Sequence, residues 1–129
     1  GGWWAIPRGK METPDTVKPS VTRAFKEETG LIINNPVLKG IYTFLIRDGE
    51  QIVNEWMMFT FVTTDAEGEL QDVNDEGLLA WHPIDRLNEL PMAKGDHIIL
   101  EHALHGKEIQ FGTFLYTVDQ ELITFKIDT

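Results

Sequence analysis

Two adjacent acids, Glu27 and Glu28, stand where a carboxylate is costly unless something answers its charge. They lie near the end of VKPSVTRAFKEET, a stretch bounded by Thr16 and Gly30 that reads as a helix from Val17 to Thr29. At about 100° per residue from Val17, Val21 falls at about 40°, Ala24 at about 340° and Glu28 at about 20°. Glu28 therefore continues the apolar stripe of Val17, Val21 and Ala24, with Phe25 at its edge. Glu27 falls at about 280°, beside Arg23 one turn earlier, an ordinary i,i+4 pair. A carboxylate on an apolar stripe costs free energy unless it is compensated, and two acids at a helix C-terminus also oppose the dipole there. A divalent cation relieves both problems. Hard oxygen donors suit Mg2+, which commonly takes one or two carboxylates together with substrate phosphates. On the residues alone a second reading stays open: a solvated charged helix end, with Glu28 turned to water.

The elements around this helix can be read in turn. Residues 11–16 form a loop containing Pro14, and Thr16 is placed to cap the helix. Pro19 falls in the first turn, where its missing N–H does no harm, and Gly30 suits the position just past the end. Asn34-Asn35-Pro36 is a turn. Residues 37–46 and 52–63 are rich in β-formers, and the intervening Arg47-Asp48-Gly49-Glu50 predicts a hairpin. Glu55 and Trp56 could border a pocket; a polar strand end and a core tryptophan explain them equally well. Residues 65–77 read as an acidic loop, 78–82 as a short strand, and 84–90 as one or two helical turns that Pro91 breaks. A second helix is predicted over 97–105, with Ile98, Ile99, Leu100, Ala103 and Leu104 facing a sheet. His97, His102 and His105 fit no well-defined metal spacing. Residues 109–116 and 122–127 alternate and predict a terminal hairpin around Asp119-Gln120.

The 129 residues suffice for one domain with one substantial core. With 42% hydrophobic and 25% charged residues, the composition is that of an ordinary globular protein rather than a disordered one. No cysteine is present, which excludes thiolate chemistry and disulfides and fits a reducing cytoplasm. No apolar run approaches a membrane span. The formal net charge of −10 repels a phosphate backbone, so a nucleic-acid polymer is not the expected partner. A small anionic substrate remains compatible, because a bound cation inverts the local potential.

The stretch from Gly9 to Leu31 resembles the Nudix box: Gly9 at its first glycine, Asp15 at its acid, Arg23 at its arginine, Glu27 and Glu28 at its paired acids, with Gly30 and Leu31 closing it. Trp3-Trp4-Ala5-Ile6-Pro7 is similar to the family's lead-in strand, and Gly9-Lys10-Met11-Glu12 to its loop. The terminal hairpin resembles that of MutT-like members. Three positions depart from the pattern. Asp15 replaces a glutamate, Arg8 stands where a second glycine is common, and Ala24 stands where the family carries a glutamate that ligates metal or assists the base.

The resemblance implies an α/β fold, a mixed sheet sandwiched between helices, formed by residues 1–129 as a single domain. A strand that the family places upstream is not seen before Gly1-Gly2-Trp3. A missing strand would leave an open sheet edge suited to a homodimer. It also implies Mg2+, with Mn2+ as a substitute, held by Glu27, Glu28, the backbone at Gly9 and a loop acid. Glu76 would be that acid, with Asp75 as second choice, and Glu76 or a metal-bound hydroxide would activate the attacking water. Arg23 would orient the acids, and Asp15 and Gly30 would hold loop and helix in place. The backbone around Gly9 and Lys10 would complete the phosphate site. Asp96 lies where related oxidised-purine hydrolases place a base-recognising acid, although a helix cap explains it as well. Trp4 could stack on a base, or pack beside a sheet. The implied reaction is metal-dependent hydrolysis of a nucleoside diphosphate linked to another group, with an oxidised guanine triphosphate as a first trial. Ala24 motivates the alternative, a catalytically weakened nucleotide-binding or regulatory module.

Overall fold

The computed structural model describes residues 3–12 and 14–128; Gly1 and Gly2, where the open start was read, and Thr13 of the first loop lie outside them. Along the chain run α1 (Val17–Thr29), β1 (Ile32–Asn34), β2 (Val37–Asp48), β3 (Gln51–Val62), β4 (Asp65–Glu67), β5 (Val73–Asn74), β6 (Gly77–Leu78), a 3-10 helix (Ile84–Glu89), α2 (Lys94–His105), β7 (Gln110–Thr117) and β8 (Leu122–Asp128). These elements form two compact units, one from residues 1–37 and 63–91, the other from 38–62 and 92–129.

In the first unit α1 has the predicted bounds. Thr16 occupies the N-cap position without a side-chain cap bond, so the predicted cap is positional only. At the other end Gly30 turns left-handed at φ 84°, and its N–H donates to Lys26 O at 2.8 Å. The fully buried Thr29 steadies this exit: its hydroxyl donates to Phe25 O at 2.7 Å and accepts the Leu31 N–H at 3.1 Å. The chain then enters β1, which pairs antiparallel with β4, Ile33 opposite Ala66. β5 and β6 form a two-residue ladder, Val73 opposite Leu78.

The second unit holds a four-stranded sheet in the order β3-β2-β7-β8. β2 and β7 run parallel, from Gly40 opposite Gln110 to Arg47 opposite Thr117. β7 and β8 run antiparallel with a register shift between Leu115 and Tyr116. The sheet is therefore mixed, as expected. Alternation puts Tyr42 and Phe44 of β2 and Phe114 and Tyr116 of β7 on one face, and α2 adds Ile99 to the same buried cluster. Phe44 stacks on Phe114 with ring centroids 5.3 Å apart.

Several expectations need correction. The acidic stretch 65–77 is not all loop, because β4 pairs with β1 and β5 folds onto β6. The strand expected at 78–82 is confined to Gly77–Leu78, where its two-residue partner ends. Residues 3–7 form no strand of their own; Trp4 N–H donates to Pro91 O at 2.7 Å, and Pro7 has no N–H to extend a ladder. Helix α2 begins at Lys94 rather than His97, because the break after Pro91 ends at the extended Ala93. Asp96 consequently lies in the first turn and not at the N-cap. No helix among the described residues is long and apolar enough to cross a membrane.

Candidate active site

The centre of the first unit's polar face is Arg23. Its Nε donates to Asp15 Oδ2 at 2.7 Å, its Nη1 to Glu27 Oε2 at 3.2 Å, and its Nη2 to Lys10 O at 3.2 Å. Glu12 Oε1 lies 3.7 Å from Nη1. One guanidinium thus ties the loop of residues 10–15 to the middle of α1, using donors fixed in a planar fork. Asp15 reaches the arginine despite being one methylene shorter than glutamate. Its hydrogen bond is the largest cause of a raised Arg23 pKa; desolvation opposes it, and the charge of Glu12 and the hydrogen bond and charge of Glu27 add to the rise. Glu27 is exposed, and Arg23 holds its carboxylate.

Glu28 has different surroundings. It is half-buried, like Val17, Val21 and Ala24 on the same stripe, while the most buried helix positions are Ser20 and Thr29. Among the described residues no Lys, Arg or His forms an ion pair with Glu28. Its carboxylate instead accepts from a neutral amide, Asn74 Nδ2, at 2.9 Å. The same Nδ2 donates to the Glu28 carbonyl at 2.9 Å. Asn74 Oδ1 accepts the N–H of Glu76 at 2.8 Å. Three residues before Asn74, the Gln71 N–H donates to Thr29 O at 2.9 Å. The segment carrying Glu76 is therefore fastened to the last turn of α1, and it satisfies carbonyls that a helix end leaves unpaired.

Gly9 packs its backbone against α1: a Cβ built there would stand 2.6 Å from Ala24 Cβ. The departure at Ala24 and the glycine at the start of the box are thus in contact. Lys10 is exposed, and its carbonyl is the one Arg23 holds. Trp4 is half-buried and meets His82 edge-on, with ring centroids 4.5 Å apart and planes at 76°. Asp75 and Glu76 are both exposed. Asp96 belongs to the second unit, on α2. There, too, Trp56 stacks on Phe44 at 5.4 Å but stays 39% exposed, so it is not the core tryptophan of the sequence reading. His102 Nε2 lies 2.6 Å from Glu108 O, and His105 Nε2 lies 3.9 Å from Glu101.

Among the described residues no three His, Asp or Glu side chains converge as a metal cage. The donor set fits a different kind of cation site. A half-buried carboxylate with no cationic partner among the described residues, preceded on the helix by a second carboxylate, suits a hard ion that keeps water and takes phosphate oxygens for its remaining ligands.

Sequence reading missed Asn74. Its signal was present in Asn74-Asp75-Glu76-Gly77, where an asparagine two residues before an N–H can close an Asx turn. Nothing local, however, indicated that its amide would reach Glu28, 46 positions away.

Comparison with known proteins shows the family. A model of the NUDIX domain matches residues 1–103. The chain is 47% identical over 127 residues to the Nudix hydrolase YvcI of Bacillus subtilis, covering 98% of this chain and 80% of that protein. It is 34% identical over 96 residues to an ADP-ribose pyrophosphatase of Methanocaldococcus jannaschii, covering 74% of this chain and 53% of that protein. It is 30% identical over 86 residues to the 8-oxo-dGDP phosphatase NUDT18 of Mus musculus, covering 64% of this chain and 24% of that protein. Among solved structures, the mutator MutT protein from Bacillus halodurans superposes with a TM-score of 0.94 at 46% identity, covering 98% of this chain and 83% of that one.

Proposed function

Because the chain belongs to the Nudix family of hydrolases, we propose that it uses a divalent cation to hydrolyse the pyrophosphate linkage of a nucleoside diphosphate joined to another group. The observation that carries this reading is Glu28: a half-buried carboxylate at a helix C-terminus, met by an amide and by no cation among the described residues. The proposed holders of the ion are Glu28 and Glu27, with the Gly9 carbonyl and Glu76 completing the protein's share. Mg2+ is the proposed ion, and Mn2+ should replace it. When bound, such an ion neutralises charge on the phosphate oxygens.

The chain's own residues do the rest. Arg23 holds Glu27 and the loop of Asp15 and Lys10 in one arrangement before substrate arrives. The exposed Lys10 ammonium offers a contact for a terminal phosphate. Glu76 is the proposed general base. Its carboxylate takes a proton from the attacking water as the new O–P bond forms, and the bridging P–O bond breaks with its electron pair leaving on the departing phosphate. Trp4 is a proposed contact for the base. The two named relatives that act on ADP-ribose and 8-oxo-dGDP share a nucleoside diphosphate, which supports that class of substrate. Oxidised guanine nucleotides and ADP-ribose are accordingly the first to try. Residues 1–129 are proposed to act as one domain, since the matched region draws on both compact units. A reducing cytoplasm is the proposed setting, given the absence of cysteine. A second copy of the chain is the proposed protein partner. The edge strand β3 supports this by showing Ile52, Val53 and Met57 to solvent.

The test is release of phosphate and pyrophosphate from a nucleotide panel, with Mg2+ and with EDTA. Turnover that requires Mg2+ and falls roughly a hundredfold or more in Glu28→Gln is expected. Turnover unaffected by EDTA would overturn the reading.

A further inference from the structure

Asn74 hydrogen-bonds both the box helix, at Glu28, and the backbone of the loop acid Glu76. Its three bonds fix the orientation of its amide. The Glu28 carbonyl and carboxylate only accept, so they must face Nδ2; the Glu76 N–H only donates, so it must face Oδ1. An aspartate could not make all three bonds, and a serine could reach only the near one. Asn74 is half-buried, which limits competition from water.

We propose that Asn74 is a positioning residue that sets the Glu28 carboxylate for the cation and fixes the backbone of Glu76 relative to it. This rests on the reading of Glu28 as a cation ligand. The physical basis is that a carboxylate with one oxygen held by an amide has fewer orientations to lose when an ion binds. Because the same amide closes the Glu76 turn, the ligand and the proposed base are set by one group rather than by two independent ones.

The experiment measures Mn2+ affinity of the nucleotide-free protein by the loss of the free-ion EPR signal, in a double-mutant cycle. The variants are Asn74→Ala, Glu28→Gln and both together. Asn74→Ser is added because it keeps an oxygen for the Glu76 N–H and removes the amide, so the turn survives even if Asn74→Ala folds poorly. Asn74→Ser, which keeps the Glu76 turn, should weaken Mn2+ binding about tenfold in the parent background and leave it unchanged in the Glu28→Gln background, while Asn74→Ala, which also frees Glu76, should weaken it at least as much in the parent. Equal weakening by Asn74→Ser in both backgrounds, or none in either, would overturn the role of Asn74 while leaving the cation site standing. If Glu28→Gln itself leaves Mn2+ affinity at the parent value, the reading of Glu28 fails, and the role of Asn74 fails with it.

Discussion

Replacing Gly30 by alanine tests how the end of the box helix is built. Gly30 sits at φ 84°, and a Cβ there would stand 2.9 Å from Gln71 Cγ, 3.2 Å from Gln71 Nε2 and 3.2 Å from Glu69 O. The left-handed conformation costs a non-glycine residue about 1–2 kcal/mol. The Gln71 side chain is exposed and can swing aside, so it adds little; the Glu69 carbonyl is backbone and must shift by a few tenths of an ångström. The sum is about 1–2 kcal/mol, which for a chain of this size lowers Tm by roughly 3–10 °C. Urea and thermal unfolding of Gly30→Ala measure it. Gly30→Asn, whose side chain tolerates the left-handed region, should recover part of the loss. Adding Gln71→Ala to Gly30→Ala should change little, since the bond from Gln71 to Thr29 O is made by its backbone. If Gly30→Ala is as stable as the parent, the helix does not need its left-handed exit, and the fastening of residues 69–76 onto α1 does not depend on it.

Tyr42 supplies a pH dependence. Burial raises its phenol to about 12, while in the unfolded chain it ionises near 10. Stability is full below pH 10 and should fall by about 2–3 kcal/mol as pH rises to 12, a slope that Tyr42→Phe should remove from urea titrations. Arg23→Lys should loosen residues 10–15, because an ammonium cannot reach Asp15, Glu27 and the Lys10 carbonyl together; hydrogen exchange there should speed up while the amides of β7 keep their protection. Ala24→Glu adds an acid one turn before Glu28 and should raise Mg2+-dependent turnover severalfold. A fall instead would show that contact with Gly9 leaves no room for a longer side chain at this position.

Sequence alone determined α1 and its bounds, the pair of long β segments from 37 to 63, the terminal hairpin and the family. These are local matters: a periodic stripe, a glycine past a helix end, alternating residues about a turn, a box of fixed spacing. The i,i+4 contact of Arg23 with Glu27 was equally legible, since helix geometry alone brings the two together. Tertiary structure decided the rest. β1 exists because residues 65–67 come back to pair with it, and three residues carry too little pattern to announce a strand. The start of α2 depends on Ala93 and on the Gly95 N–H finding the Tyr116 hydroxyl 21 positions away. The side chains that surround a carboxylate are likewise set by whichever segments pack against it. Hence Glu28 could be singled out from its place on the helix, but the amide of Asn74 that holds it could be found only in three dimensions.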